Sequence, residues 1–128
     1  ERGLAGTWGV CARASRGLER TTDGHVREPI EQIASHELPV DTFGIDAGWY
    51  TCPAADTGER NWAKGVGNWD ADTERYPNGI QPVAAAAHDS GLRFLLWFEP
   101  ERVMPDTWLY DNHPDWLPAA ADIPDQKQ

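Results

Sequence analysis

The chain has one methionine, two cysteines and only 11 basic residues against 21 acidic ones among its 128. Cys11 and Cys52 stand far apart without metal-ligand spacing, so neither a disulfide scaffold nor a thiolate metal centre is expected. The two thiols would pair only if the fold brought them together. His88 and His113 are isolated and lack the i, i+4 pairing or the carboxylate partners of a zinc site. No apolar run is long enough to cross a bilayer, and no signal-peptide pattern is present, so a bacterial cytoplasmic location is expected. The net charge of −10 is spread over the whole chain, which excludes nucleic acid and anionic membrane surfaces as natural partners. There is no GxSxG, no P-loop and no GxGxxG. No cofactor and no metal are expected.

What the chain does have is tryptophan, seven residues of it. Tryptophan is a demanding core residue because its N–H needs a partner when buried. A carbohydrate site is one of the few uses that calls for several, since an indole face stacks on the apolar C–H face of a pyranose while polar groups bind the hydroxyls. Hydrophobic content of 40% and charged content of 25% are those of a globular chain.

The pattern alternates strand and helix. Leu4–Val10 reads as a first strand, Asp23–Leu38 as an amphipathic helix ended by Pro39, and Thr42–Ile45 as a short buried strand. A long connection from Ala47 to Asn78 follows, of a length that usually marks a functional loop or lid. A helix begins near Asn78 and Pro82 and stops at Gly91. Leu92–Phe98 is nearly all apolar, as befits a parallel strand covered on both faces, and a short helix is expected around Asp106–Asn112. The order is that of an α/β protein. Three strands cannot close a barrel, so the expected fold is a partial (β/α)8 TIM barrel of about three β/α units. Both chain ends, at Glu1 and Gln128, are expected to be cut.

In parallel α/β proteins, ligands meet the fold at the carboxyl ends of strands. Asp46, in the segment Gly44-Ile-Asp-Ala-Gly-Trp-Tyr50, follows such a strand. It reads either as a bidentate anchor for sugar hydroxyls or as a turn former. Glu99 and Glu101 flank Pro100 and can face one side of an extended chain. They read as a carboxylate pair for glycoside hydrolysis or, preferably, as braces that bond backbone N–H groups, Arg93 or Arg102. Trp97 reads as core. Trp49 and Trp69, in a Gly-rich loop beside acidic residues, are the better placed to stack on a ligand. His113-Pro-Asp-Trp116 reads as a turn that locks the chain.

Taken together, Asp46-Ala-Gly-Trp-Tyr50, Gly67-Asn-Trp69, Tyr76-Pro-Asn-Gly79, the Phe94–Val103 segment with its Glu-Pro-Glu, and His113-Pro-Asp-Trp116 resemble the melibiase-type α-galactosidases of glycoside hydrolase family 36. The resemblance covers residues 43–117 well. It implies a (β/α)8 catalytic barrel and retaining hydrolysis of terminal α-linked galactose from oligosaccharides. In that family the nucleophile and the acid/base are aspartates on later strands. None of the residues present is therefore expected to be catalytic. Residues 1–128 would be the N-terminal part of the catalytic domain, inactive alone and drawn from a parent that can be a homo-oligomer. By the same resemblance Asp46 matches the hydroxyl-binding aspartate, Trp69 the tryptophan of the family's G-D-W segment, and Trp8 an active-site tryptophan after the first strand. Cys52, just beyond the Asp46 block, is placed to line the pocket. Ala47 stands where many members carry a second aspartate, and Asn68 replaces the aspartate beside Trp69. Those departures leave an α-N-acetylgalactosaminidase or a raffinose-synthase-type galactosyltransferase as alternatives. A non-catalytic carbohydrate-binding module is the alternative from another class.

Overall fold

Val26, Ile30 and Ile33 recur at i, i+4 and i+7, and their stripe is buried on helix α1 (Asp23–Ser35). The computed structural model describes residues 9–12, 21–53 and 60–117. Thr22 caps α1 by accepting the His25 N–H on its side chain. The helix ends three residues short of the expected Leu38. Glu37 takes a left-handed backbone with φ of 49°, and Leu38 N–H turns back to the Ile33 carbonyl at 3.1 Å. This closing turn leaves Leu38 exposed.

Helix α2 (Gln81–Asp89) carries its own short stripe, with Val83 and Ala87 buried at i and i+4. Pro82 sits in its first turn, where a missing N–H costs nothing. Gly91, with φ of 76°, stops it as expected, and Leu92 N–H closes on Ala87 O at 2.9 Å. Helix α1 packs on α2, and α2 packs on the strand that follows.

The sheet has three parallel strands in the order β1 (Gly9–Ala12), β2 (Thr42–Ile45) and β3 (Arg93–Leu96). Its register is even: Cys11, Gly44 and Leu95 lie side by side, as do Ala12, Ile45 and Leu96. The fold is thus α/β with a parallel sheet. β2 has the expected limits. β1 runs through Ala12 and not only to Val10, because its pairing with β2 carries it there. Most of the expected first strand, Leu4–Trp8, lies outside the described residues.

The two faces of the sheet differ. Phe43 and Ile45 are buried among Val26, Ile30, Ile33, Val83 and Ala87, and their partners Phe94 and Leu96 pack against this core. The opposite parity carries Gly44 and Leu95, and Leu95 is 53% exposed. The expectation that β3 is covered on both faces is therefore not met. β3 is the edge strand here, and only its helix-facing residues are half-buried.

The long connection after β2 is not structureless. Tyr50 and Ala71 form an antiparallel bridge, with Thr51 N–H on Asp70 O at 3.1 Å and Asp72 N–H on Trp49 O at 3.1 Å. Among the described residues between the two arms is a 3-10 turn, Trp62–Gly65. The arms return the chain to the carboxyl edge of the sheet.

Candidate functional site

Because Ile45 and Leu96 are in register, the residues that follow them leave the sheet at one level. Trp97 N–H still bonds Ile45 O at 3.0 Å, and positions 46 and 97 continue the parity of the open face. Asp46 is half-buried. Its Oδ1 accepts the Ala47 N–H at 2.7 Å, while Oδ2 has no hydrogen bond among the described residues. The carboxylate is thus oriented by one oxygen and has the other to offer. Gly48, with φ of 86°, then swings the chain out towards Trp49 and Tyr50.

An aromatic cluster stands at this edge. Trp49 meets Tyr50 and Phe98 edge-on at 5.5 and 5.3 Å, and lies 6.3 Å from Trp69. Trp69 in turn meets Tyr50 at 5.0 Å, Phe98 at 5.1 Å and Trp97 at 6.5 Å. Within the cluster the roles divide by burial. Trp49 is only 3% exposed and donates its Nε1–H to Trp97 O at 2.9 Å. It is core, and its expected role as a ligand-stacking face is corrected: its N–H is used and its ring is covered. Trp69 is partly exposed and Phe98 is 51% exposed, so these two present the open aromatic surface.

Cys52 also departs from expectation. It is buried, its Sγ–H donates to Tyr50 O at 3.1 Å, and it lines a side cleft of about 270 Å³ with Thr51, Arg60, Asp72, Thr73 and Glu74. Asp46 is not part of that cleft. Trp8 lies outside the described residues. Glu99 is held by Arg102 through two contacts, Nε to Oε1 at 2.5 Å and Nη2 to Oε2 at 2.8 Å. The same guanidinium lies over the Trp62 ring at 5.7 Å. Glu101 is exposed and makes no hydrogen bond among the described residues, so the expected bracing role is seen for Glu99 and not for Glu101. His113 stacks on Trp116 at 3.9 Å and tilts against Trp108 at 5.0 Å. No group of three metal-ligating side chains occurs among the described residues.

Sequence reasoning passed over two arrangements. The first is Asp72, which is 4% exposed. Its Oδ1 accepts Glu74 N–H at 3.0 Å and Arg75 N–H at 3.4 Å, and Oδ2 faces Arg75 Nε at 3.2 Å and the Arg60 guanidinium. Burial pushes this carboxyl up, but the Arg75 charge and hydrogen bond, the Arg60 charge and the Glu74 N–H together hold it below its ordinary value. Arg75 is 7% exposed and reaches Tyr50 O with Nη2 at 2.9 Å. The i, i+3 spacing of Asp72 and Arg75 was the only signal. Burial also pushes the hydroxyl of Tyr50 up, and that of Tyr76 to about 12. Burial thus favours the protonated form of both phenols.

The second is Asn68, whose Nδ2 donates to Thr51 O at 3.2 Å and whose Oδ1 accepts Trp108 N–H at 2.8 Å. Trp108 opens helix α3 (Trp108–Asn112). Beside it, Met104 N–H bonds Val66 O at 2.9 Å and Leu109 N–H bonds Gly67 O at 3.1 Å. Gly67 has φ of 115°, and a Cβ there would come 2.3 Å from Thr107 Oγ1 and 3.1 Å from Val103 Cγ1. Thr107 is buried and donates to Met104 O at 2.6 Å, so it has little room to move. Gly67→Ala is expected to destabilise the protein by about 1–3 kcal/mol, read as a lowered unfolding midpoint in urea.

The comparisons with known proteins agree on one lineage. A model of the melibiase family matches residues 19–128. An α-galactosidase of Escherichia coli is 38% identical over 93 residues, which is 73% of this chain and 12% of that protein. Alpha-galactosidase AgaA of Geobacillus stearothermophilus is 37% identical over 92 residues, 70% of this chain and 12% of the relative. Among solved structures, the family 36 AgaA enzyme in complex with 1-deoxygalactonojirimycin superposes with a TM-score of 0.68 at 26% identity, covering 96% of this chain and 16% of that one. An α-galactosidase of Thermus thermophilus in complex with p-nitrophenyl α-D-galactopyranoside gives 0.68 at 26% identity, covering 94% and 22%. The chain thus spans only 10% to 14% of the length of the curated relatives it matches.

Proposed function

The chain belongs to the melibiase family, and from that premise we propose that it forms part of the catalytic barrel of a retaining α-galactosidase acting on terminal α-linked galactose in oligosaccharides. The observation that carries the reading is the carboxyl edge of the sheet. There Asp46, with one carboxylate oxygen uncommitted among the described residues, leaves β2 at the level where Trp97 leaves β3, and the Trp97 ring neighbours Trp69, which packs in turn on Phe98. Asp46 binds sugar hydroxyls, because charge-assisted bonds to a preoriented carboxylate give affinity and orientation together. Trp69 covers the apolar face of the ring. The open face of the sheet, Gly44 and Leu95, lies on the inside of a (β/α)8 barrel whose further strands add beyond β3. The carboxylates of the double displacement come from those later strands. One attacks the anomeric carbon; the other protonates the leaving oxygen and then activates water.

The test is hydrolysis by the full-length protein, with nitrophenyl α-galactoside and nitrophenyl α-N-acetylgalactosaminide assayed side by side. Cleavage of the galactoside in clear preference is expected. Preference for the N-acetylated substrate overturns the galactose assignment. Sugar binding without cleavage of either substrate supports a binding module in place of an enzyme.

A further inference from the structure

We propose that Asn68 is the positioning residue of this site: its side-chain amide ties the loop after β2 to the start of α3 and so fixes Trp69 against the pocket edge. The inference rests on the reading of Trp69 as a sugar-facing residue, and it adds a residue that touches no sugar itself.

The two partners of Asn68 admit one orientation of its amide. Thr51 offers a carbonyl, which only accepts; Trp108 offers a backbone N–H, which only donates. The amide must therefore point Nδ2 at the first and Oδ1 at the second. Aspartate has the same shape but no donor, and would set a carboxylate oxygen against the Thr51 carbonyl. Alanine reaches neither partner.

The position is as telling as the chemistry. The arms 49–51 and 70–72 are already joined by Thr51 N–H to Asp70 O and Asp72 N–H to Trp49 O. Asn68 takes the remaining backbone polar group of Thr51, its carbonyl, and extends that ladder by one rung. Its other end holds the segment that leaves β3, next to the bonds from Met104 to Val66 and from Leu109 to Gly67. Trp69 follows directly, and its ring spans both sides of the tie, meeting Tyr50 on one and Trp97 and Phe98 on the other. Releasing the amide frees the two loops to shift relative to each other with Trp69 between them. Binding geometry suffers first, because small misplacements of a positioning group are expensive in rate and affinity.

The experiment compares the full-length protein with Asn68→Asp and Asn68→Ala on nitrophenyl α-galactoside, and follows hydrogen exchange at the Trp108 amide. Both variants are expected to lose about tenfold in kcat/KM, chiefly through KM, with Asn68→Asp no better than Asn68→Ala. Exchange at the Trp108 amide is expected to rise in Asn68→Ala and to stay near the parent rate in Asn68→Asp, which keeps that acceptor. A merely structural role would lower the unfolding midpoint and leave the split between KM and kcat unmoved. Values of kcat/KM within twofold of the parent in both variants overturn the proposal. If Asn68→Ala does not fold, Asn68→Asp decides alone on KM. If the parent itself leaves galactosides intact, the reading under Proposed function fails, and the tie between the loops is judged by the exchange of Trp108, where an unchanged rate in Asn68→Ala overturns it.

Discussion

Asp46→Ala in the full-length protein is expected to lower kcat/KM for nitrophenyl α-galactoside by a hundredfold or more, about 2.7 kcal/mol of transition-state binding. The size follows from the local geometry. One oxygen of the carboxylate is committed to Ala47 N–H, so the side chain is already oriented before a ligand arrives. The other has no hydrogen bond among the described residues, and sugar hydroxyls on a carboxylate are worth more than neutral contacts. Replacing Asp46 by Asn tests the charge separately, since the amide preserves shape and one acceptor. Its loss is expected to fall between those of the parent and Asp46→Ala. Unaffected catalysis in Asp46→Ala would show that the pocket lies elsewhere on the sheet edge.

The second large effect is on stability. Arg75→Met is expected to destabilise the protein by about 3–5 kcal/mol, because it leaves the buried Asp72 carboxylate without its principal counter-charge. Arg60 alone does not replace it. It is more exposed than Arg75 and divides its guanidinium between Asp72 and the solvent-facing Glu74. Removing both charges in Asp72→Asn with Arg75→Met is expected to be milder than Arg75→Met alone, and urea unfolding midpoints of the four proteins measure this directly. The same pair sets a pH dependence. The folded Asp72 carboxyl titrates below its ordinary value of 3.8. Its stabilisation is complete above about pH 5 and drains away as the pH falls through the ordinary value into the lower range of the folded group. Asp72→Asn is expected to flatten this acid limb of the stability profile, which a series of unfolding midpoints from pH 6 down to about pH 3 would record. A limb equally steep in the variant would assign the acid sensitivity to other carboxyls.

Much of the scaffold was legible from residue order alone. The stripe of Val26, Ile30 and Ile33, the strand Thr42–Ile45 and the stop at Gly91 follow from periodicity and from glycine's tolerance of positive φ. The end of α1 was not legible, because a glutamate and not a glycine occupies the left-handed position. The place of Asp46, directly after an apolar strand, was legible too. Trp49 was misread for a physical reason. A tryptophan between glycines and acids looks exposed in one dimension, and nothing there announces that the carbonyl of Trp97, 48 residues on, satisfies its N–H. Asn68 was noticed only for its departure from an aspartate. Its two partners lie 17 and 40 residues away, beyond any local pattern.

The ladder between residues 49–51 and 70–72 also separates two kinds of sequence change. Pro53 O accepts Asn61 N–H at 3.3 Å, and Arg60 is pinned to Asp72 and Glu74, so the chain is fastened to the ladder on both sides of positions 54–59. Lengthening the chain between two fastened points carries a closure cost that grows only logarithmically, about 0.6 kcal/mol for each doubling. Insertions between those two points are therefore expected to leave Asp46 and Trp69, outside the interval, in one arrangement. A change at Arg60 or Asp72, by contrast, undoes the fastening itself.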